Sequence, residues 1–234
     1  MAISIIDITE RPLQLMGLSA GICWNSNVDD PQANVNRAIA CIYADHGRVL
    51  EYPSIILEIS GESARMFREL YTHIGGAPTR LQDSTRFVDA SNFKYYTPPS
   101  CKKDGVKEVY EKGMQSIADF YGELIDLGVP REDAANALPL GMNSKVVWKI
   151  NLRTLVNFMN KRLCGRALLE IQKFSHELRD LLMQQNDEWM WIGENLFVPS
   201  CERFKLLNPT MCFCIEKKCC GRHPYIKDVT LVKQ

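Results

Sequence analysis

The sequence has no excess of either charge: 28 Lys and Arg stand against 28 Asp and Glu in 234 residues, for a formal net charge of zero. A general nucleic-acid binder carries a basic surplus to meet phosphates, so that class is disfavoured, although local basic sites remain open. No apolar run approaches the roughly 20 residues that cross a bilayer, and no membrane partner is expected. No basic region precedes the apolar residues of MAISIIDITERP. A signal peptide is therefore not expected, and the expected location is cytoplasmic. No glycine-rich dinucleotide fingerprint follows a strand, and no G-x-S-x-G elbow occurs. Rossmann-type cofactor binding and that serine-hydrolase chemistry are set aside. Repeats and low-complexity segments are also missing.

Cysteine is not scarce. There are nine, and without a secretory signal they suggest a reducing compartment, with free thiols or metal rather than disulfides. The length suits one large domain or two small ones with a proper core.

Ile3 to Ile8 is apolar and β-branched and predicts a strand. Pro12 to Cys23 predicts a helix. Pro31 to Ala44 predicts another, with Val35, Ala38, Ile39, Ile42 and Tyr43 at helical spacing and Asp30 placed to cap it. A strand is expected from Pro53 to Ile59, a helix from Ser63 to Ile74, and a short aromatic strand from Phe93 to Tyr96. Gly105 to Gly128 predicts a long amphipathic helix. Its stripe of Val106, Val109, Tyr110, Met114, Ile117, Phe120, Tyr121 and Leu124 reads as packing. A helix opens at Asn151. Asn151 and Arg162, about three turns apart, project from similar directions, while Arg153 and Asn157 share another face. A last clear helical stripe runs from Arg166 to Met183, with His176 on the surface. Trp189-Met190-Trp191 leaves an oligomer interface open.

Two stretches carry chemistry. After Gly75-Gly76, the chain presents Thr79, Arg80, Gln82, Ser84, Thr85 and Arg86 with few apolar residues. Guanidinium forks, hydroxyls and backbone N–H groups donate to phosphate, so the loop suits an anion. A polar surface turn accounts for the same residues. Near the end, Cys201, Cys212, Cys214, Cys219 and Cys220 crowd into twenty residues with His223 close by. Four thiolates make a tetrahedral zinc site that folds a segment with little core. The expected ligands are Cys201, Cys212, Cys214 and Cys219. Free cysteines or a redox pair are the alternative. Cys164, between Arg162 and Arg166, reads as a buried thiol.

The first stretch resembles the second half of the RHRxxSxxxxSxR signature of flavin-dependent thymidylate synthases, the ThyX family, through Thr79, Ser84 and Arg86. The basic triplet falls on Thr72-His73-Ile74 and keeps only its histidine, with two extra residues around Gly75-Gly76. A longer block is similar to the family's G-x-P-x-E-x-A-R-x-x-L-P, N-x-R helix and E-I segment. Gly128, Pro130, Glu132, Ala135, Leu138, Pro139, Asn151, Arg153, Asn157, Arg162, Ala167, Glu170 and Ile171 carry it. The chain departs at Tyr52, where the family has histidine, at Asn136, where it has a nucleotide-binding arginine, and at Leu168, where it usually has glutamine.

The resemblance implies an α+β, ThyX-like fold, with a mixed or antiparallel sheet, long helices and a homotetramer whose sites draw on several subunits. A catalytic domain is expected over residues 1–198 and a Cys-rich tail over 199–234. The implied reaction is reductive methylation of dUMP to dTMP. Methylenetetrahydrofolate gives the carbon, FAD passes the hydride, and NADPH reduces the flavin. Arg68, Glu69, Gln82, Ser84, Arg86, Asn157 and Arg162 would hold dUMP, with Ser84, Arg86 and Arg162 at the reacting centre. Thr72, His73, Ile74, Thr79, Arg80, Asn151 and Arg153 would face the flavin. The departures keep open an enzyme for another pyrimidine nucleotide, a non-catalytic nucleotide- or flavin-binding protein, and a zinc-stabilised interaction module.

Overall fold

The computed structural model describes residues 2–73 and 79–229. Strand β1 (Ala2–Ile8) is followed by helices α1 (Pro12–Cys23) and α2 (Pro31–Tyr43), a 3₁₀ turn (Gly47–Glu51), β2 (Ser54–Ser63) and α3 (Ala64–Leu70). Next come β3 (Thr79–Gln82), α4 (Val106–Asp126), the single turn α5 (Arg131–Ala134) and β4 (Asn143–Asn151). Helices α6 (Leu152–Arg162), α7 (Leu169–Met183) and α8 (Asp187–Asn195) complete the regular elements. The strands form one four-stranded sheet in the order β1-β2-β4-β3. This is the expected α+β class.

The chain divides into two compact units. One comprises Met1–Ile6, Leu57–Thr72 and Thr79–Trp148; the other comprises Asp7–Ile56, His73–Pro78 and Lys149–Gln234. In the first unit, Tyr121 of α4 packs with Ala90 and Ala134, and Leu124, Ile125, Val129, Leu138 and Met142 close around them. Helix α3 begins where Ser63 Oγ accepts from Met66 N at 3.1 Å. Its first free N–H groups, on Ala64 and Arg65, donate to the Met142 and Leu140 carbonyls at 2.8 and 2.9 Å. Side chain and neighbouring backbone together satisfy a helix start that would otherwise leave donors orphaned.

In the second unit α1 lies on α2, and α7 contacts both α6 and α8. Gly17 permits the first contact, since a Cβ there would come within 1.7 Å of the Asn34 carbonyl oxygen. Asp30 caps α2 as expected, accepting from Gln32 N at 2.8 Å. Glu188 of α8 accepts from Leu13 N at 2.6 Å and Gln14 N at 3.2 Å, capping α1, which has no side-chain cap of its own. Phe158, Phe174, Leu178 and Trp189 are fully buried here, so Trp189 is core.

Four expectations need correction, and one strand was missed. The helix expected from Ser63 to Ile74 ends at Leu70, with Tyr71 and Thr72 in a turn. Phe93 to Tyr96 forms an isolated bridge, Tyr95 to Met142, instead of a strand, because the pairing stops before Pro98-Pro99. Helix α7 starts at Leu169, not Arg166, because residues 164–167 make a turn closed by Ala167 N to Cys164 O at 2.9 Å. The α4 stripe is only partly core: Met114 and Tyr121 are buried, but Val109 is 72% and Phe120 50% exposed. Strand β4 was not anticipated, although its Ser144, Val146, Trp148 and Ile150 alternate inward. No helix among the described residues is long and apolar enough to cross a membrane.

Candidate functional site

Each unit carries part of the expected site. In the first, Asp83 fixes the hydroxyl-rich loop, its N–H donating to Lys145 O at 2.9 Å and its carboxylate accepting from Lys145 N at 3.0 Å. Beyond it, Ser84 makes a tight turn. Its carbonyl accepts from Phe87 N and Val88 N at 3.1 and 2.9 Å, and its Oγ accepts from Arg86 N at 3.3 Å. The turn walls a cavity of about 120 Å³, also lined by Gln82, Thr85, Asn143 and Ser144. Asn143 Oδ1 is buried without a hydrogen-bond partner among the described residues. Such an atom loses its hydration uncompensated, which marks the loop base as a place for a donor.

The other loop side chains are engaged. Gln82 bridges two hydroxyls, accepting from Tyr71 Oη at 2.5 Å and donating to Ser144 Oγ at 3.1 Å. Arg80 stacks on the Tyr71 ring, 3.7 Å from its centroid. Burial raises the Tyr71 phenol above its ordinary value, and Arg80 partly offsets this. Arg86 pairs with Glu132 at 2.5 Å on an open surface. Arg68 and Thr79 are exposed, Glu69 is half-buried, and Thr72 Oγ1 donates to Glu69 O at 2.7 Å. Asn136 donates to its own turn at Asp133 O, 2.9 Å away.

In the second unit His73 and Arg162 meet. Arg162 Nε donates to His73 Nε2 at 3.1 Å, so the neutral imidazole carries its proton on Nδ1. The His73 ring stands edge-on to Phe158 at 5.0 Å. Arg153 pairs with Glu51 at 2.5 Å. Arg153 and Asn157, expected on one face, line one cavity of about 390 Å³ with His46, Gly47, Arg203 and Phe204. Asn157 also lines a neighbouring cavity of about 360 Å³ with His73, Lys161 and Phe213. Asn151 stands just outside α6, where its Oδ1 caps the helix by accepting from Thr154 N at 2.9 Å. Ile74 and Gly75-Gly76 lie outside the described residues.

The linings of these second-unit cavities are compatible in chemistry with an anionic, ring-bearing cofactor: Arg203 and Lys161 offer cations, Arg153 a cation already paired with Glu51, and Phe204 and Phe213 ring faces. Arg203, Phe204, Tyr71, Ser144 and Asn143 were not anticipated as site residues. Single-sequence motifs do not reach them: Ser144 meets Gln82 from 62 residues away, and Tyr71, Arg203 and Phe204 stand outside the quoted motifs.

The tail belongs to the second unit. Phe213 N donates to Cys201 O at 3.1 Å, and Cys214 N to Pro224 O at 2.8 Å. Glu202 meets His223 Nε2 at 3.1 Å and Arg222 at 3.3 Å. Burial first, then Glu202, pushes the Cys201 thiol up to about 11. Among the described residues, Cys201, Glu202 and His223 form the group whose ligand atoms all lie within 4.8 Å of one another. Cys212, Cys214 and Cys219 are outside it. Cys212 turns its thiol to the Pro209 carbonyl, 3.6 Å away. All nine cysteines are free.

Comparisons place the chain among known proteins. The sequence pattern of the thymidylate synthase complementing protein family matches residues 4–186. A flavin-dependent thymidylate synthase of Geobacter sulfurreducens is 30% identical over 192 residues, covering 78% of this chain and 82% of that protein. The enzyme of Pyrococcus abyssi is 27% identical over 82% of this chain and 84% of its own length. The match to the Sulfolobus acidocaldarius enzyme is 38% identical, over 56% of this chain and half of that protein. A crystal structure of Helicobacter pylori ThyX with FAD and dUMP superposes with a TM-score of 0.66 at 20% identity, covering 84% of this chain and 99% of that one. Matched along most of its length, the chain belongs to the thymidylate synthase complementing protein family, the ThyX enzymes.

Proposed function

We propose that this protein is a flavin-dependent thymidylate synthase that converts dUMP to dTMP, with FAD as cofactor and methylenetetrahydrofolate and NADPH as co-substrates. The observation that carries the reading is the alignment with the Geobacter enzyme at 30% identity over 192 residues. The donors assembled around Ser84 and around Asn157 support it.

When bound, FAD supplies the hydride chemistry. The protein supplies position and charge. Arg86 and Arg162 bind and neutralise phosphate, while Glu69, Gln82 and Asn157 orient the pyrimidine. Ser84 aligns the nucleotide and is not a nucleophile. Arg68 lies beside Glu69 on α3. Thr72, His73, Thr79, Arg80, Asn151 and Arg153 are assigned to the flavin side, His73 with its proton held on Nδ1 by Arg162. The working form is a cytoplasmic homotetramer. Residues 1–198 form the catalytic domain, and residues 199–234 a tail stabilised by a structural metal, with zinc as the expected ion.

The test is turnover with dUMP, methylenetetrahydrofolate and NADPH on FAD-loaded protein, with mass analysis of the nucleotide product. Formation of dTMP supports the proposal. A different methylated pyrimidine would change the substrate, and no product with tight dUMP binding would leave a nucleotide-binding protein.

A further inference from the structure

Five thiols line one cavity in the second unit. Cys164, Cys201, Cys214, Cys219 and Cys220 surround a space of about 260 Å³, with Lys161, Arg162 and Arg166 on its wall. They come from the turn between α6 and α7 and from two stretches of the tail, one at Cys201 and one from Cys214 to Cys220. The backbone beside them is pinned. Cys164 O accepts from Ala167 N and from Gln172 Nε2, both at 2.9 Å. Cys214 donates to Pro224 O and accepts from Ile226 N, both at 2.8 Å. Cys219 Sγ accepts from Gly221 N at 3.4 Å, the N–H···S contact that supports a metal-bound thiolate; as thiols, Cys219 donates to His223 O at 3.3 Å and Cys214 to Glu216 O at 3.8 Å, contacts that metal binding would replace. Cys220 packs against Gly165, where a Cβ would meet its Sγ at 3.3 Å.

We propose that Cys164, Cys201, Cys214 and one thiol of the Cys219–Cys220 pair hold a thiophilic metal centre. This rests on reading the tail as metal-stabilised, and changes where the metal sits: Cys164 enters the ligand set and Cys212 leaves it. Soft thiolates select zinc or an iron–sulfur cluster. A tetrahedral zinc ion at a Zn–S distance of about 2.3 Å holds its thiolates roughly 3.8 Å apart. The thiols here are spread more widely, since no three of them fall within 4.8 Å of one another among the described residues. A zinc ion therefore has to draw the thiols inward, whereas the larger iron–sulfur cluster tolerates wider spacing. Four thiolates leave net negative charge on either centre; Lys161 on the wall is placed to offset it, while Arg166 is shared with Glu216, 3.3 Å away.

Glu202 and His223 stand beside this cage as an ion pair completed by Arg222. Because Cys164 follows Arg162 by two residues, the metal clamps the end of α6 that carries Arg162 against the tail.

The experiment measures zinc, iron and acid-labile sulfide on full-length protein and on Cys164→Ser, Cys212→Ser and His223→Ala. Wild type, Cys212→Ser and His223→Ala should carry about one centre per chain, and Cys164→Ser at least tenfold less. Iron with sulfide identifies a cluster, and zinc without sulfide a single ion. In parallel, alkylation of wild type before and after chelation is mapped by mass spectrometry, which needs no variant to fold. Cys164, Cys201 and Cys214 should be protected only with metal, and Cys212 labelled in both states. Metal that survives Cys164→Ser but is lost from Cys212→Ser or His223→Ala overturns the ligand set alone. Equal labelling of Cys164 in both states does the same. Wild type without metal overturns this site and the metal-stabilised tail together.

Discussion

Arg86 is held by the Glu132 carboxylate, which the proposed nucleotide phosphate would have to displace. Both partners are exposed, and an exposed pair contributes only about 0.2–1 kcal/mol. A charge-assisted contact to phosphate is worth roughly 1.5–3 kcal/mol, so the exchange favours the nucleotide. Arg86→Ala should weaken dUMP binding by about one to two decades and leave FAD binding unchanged. Glu132→Ala should tighten dUMP binding slightly. Calorimetric titration of each variant checks both, and equal loss of FAD and dUMP affinity in Arg86→Ala would count against this assignment. The donors of this loop were legible in the sequence because arginines and hydroxyls cluster after a glycine pair. Their partners were not. Tyr71 lies under Arg80 and Glu132 against Arg86 only once the chain has folded.

His176 makes a pH prediction at the same scale. Burial first, then Arg179 and Arg222, lowers its pKa, against the opposing pull of Asp180. The folded state therefore binds this proton less readily than the unfolded chain. Its contribution to stability is full above the ordinary histidine value of about 6.5. It is lost as pH falls from there through the lowered value. Melting temperature should decline across that window, and less steeply in His176→Asn. Identical slopes would assign the decline to other groups.

At the scale of elements, two caps differ in how visible they were. Asn151 before an apolar-periodic run carries a local cap signal, although the helix was expected to open at Asn151 itself with its side chain directed like that of Arg162. Asn151→Ala should cost about 1 kcal/mol, a drop of roughly 2–4 °C in melting temperature for a chain of this size. Asn151→Asp keeps the cap acceptor, so a loss of FAD affinity in that variant alone would separate the ligand role from the cap. Glu188 is the opposite case. It caps α1 from 175 residues away, and nothing in the local sequence announces it. Glu188→Ala should lower thermal stability more than Asn151→Ala, because it leaves buried N–H groups of α1 without an acceptor. A smaller loss would mean water replaces the carboxylate. Strand β4 falls between. Its inward Val146, Trp148 and Ile150 alternate with outward Lys145 and Lys149, a period-two signal that a motif-centred reading passes over.

For the whole molecule, the apolar side of α4 turned to solvent is the feature that points beyond one chain. Val106, Val109 and Phe120 are exposed on that single helix, and exposed apolar groups of this kind mark association surfaces. Val109→Glu combined with Phe120→Glu should convert the proposed tetramer to a smaller species by light scattering, with the monomer's helix content retained. An unchanged mass would place the assembly contacts elsewhere.

The strand order β1-β2-β4-β3 also has a consequence during biosynthesis. The inner strand β2 gains one of its two neighbours only when β4 is made, and the end of β4 lies 88 residues after the end of β2. At about 5–20 residues per second that interval lasts roughly 4–18 s. Helices α1 and α2, joined by local contacts, can pair during it. Through the same seconds Ile55, Leu57 and Ile59 wait on a strand with one open edge. The nascent chain is therefore most prone to aggregate before Asn151 emerges, and a translational pause inside α4 would lengthen that exposure.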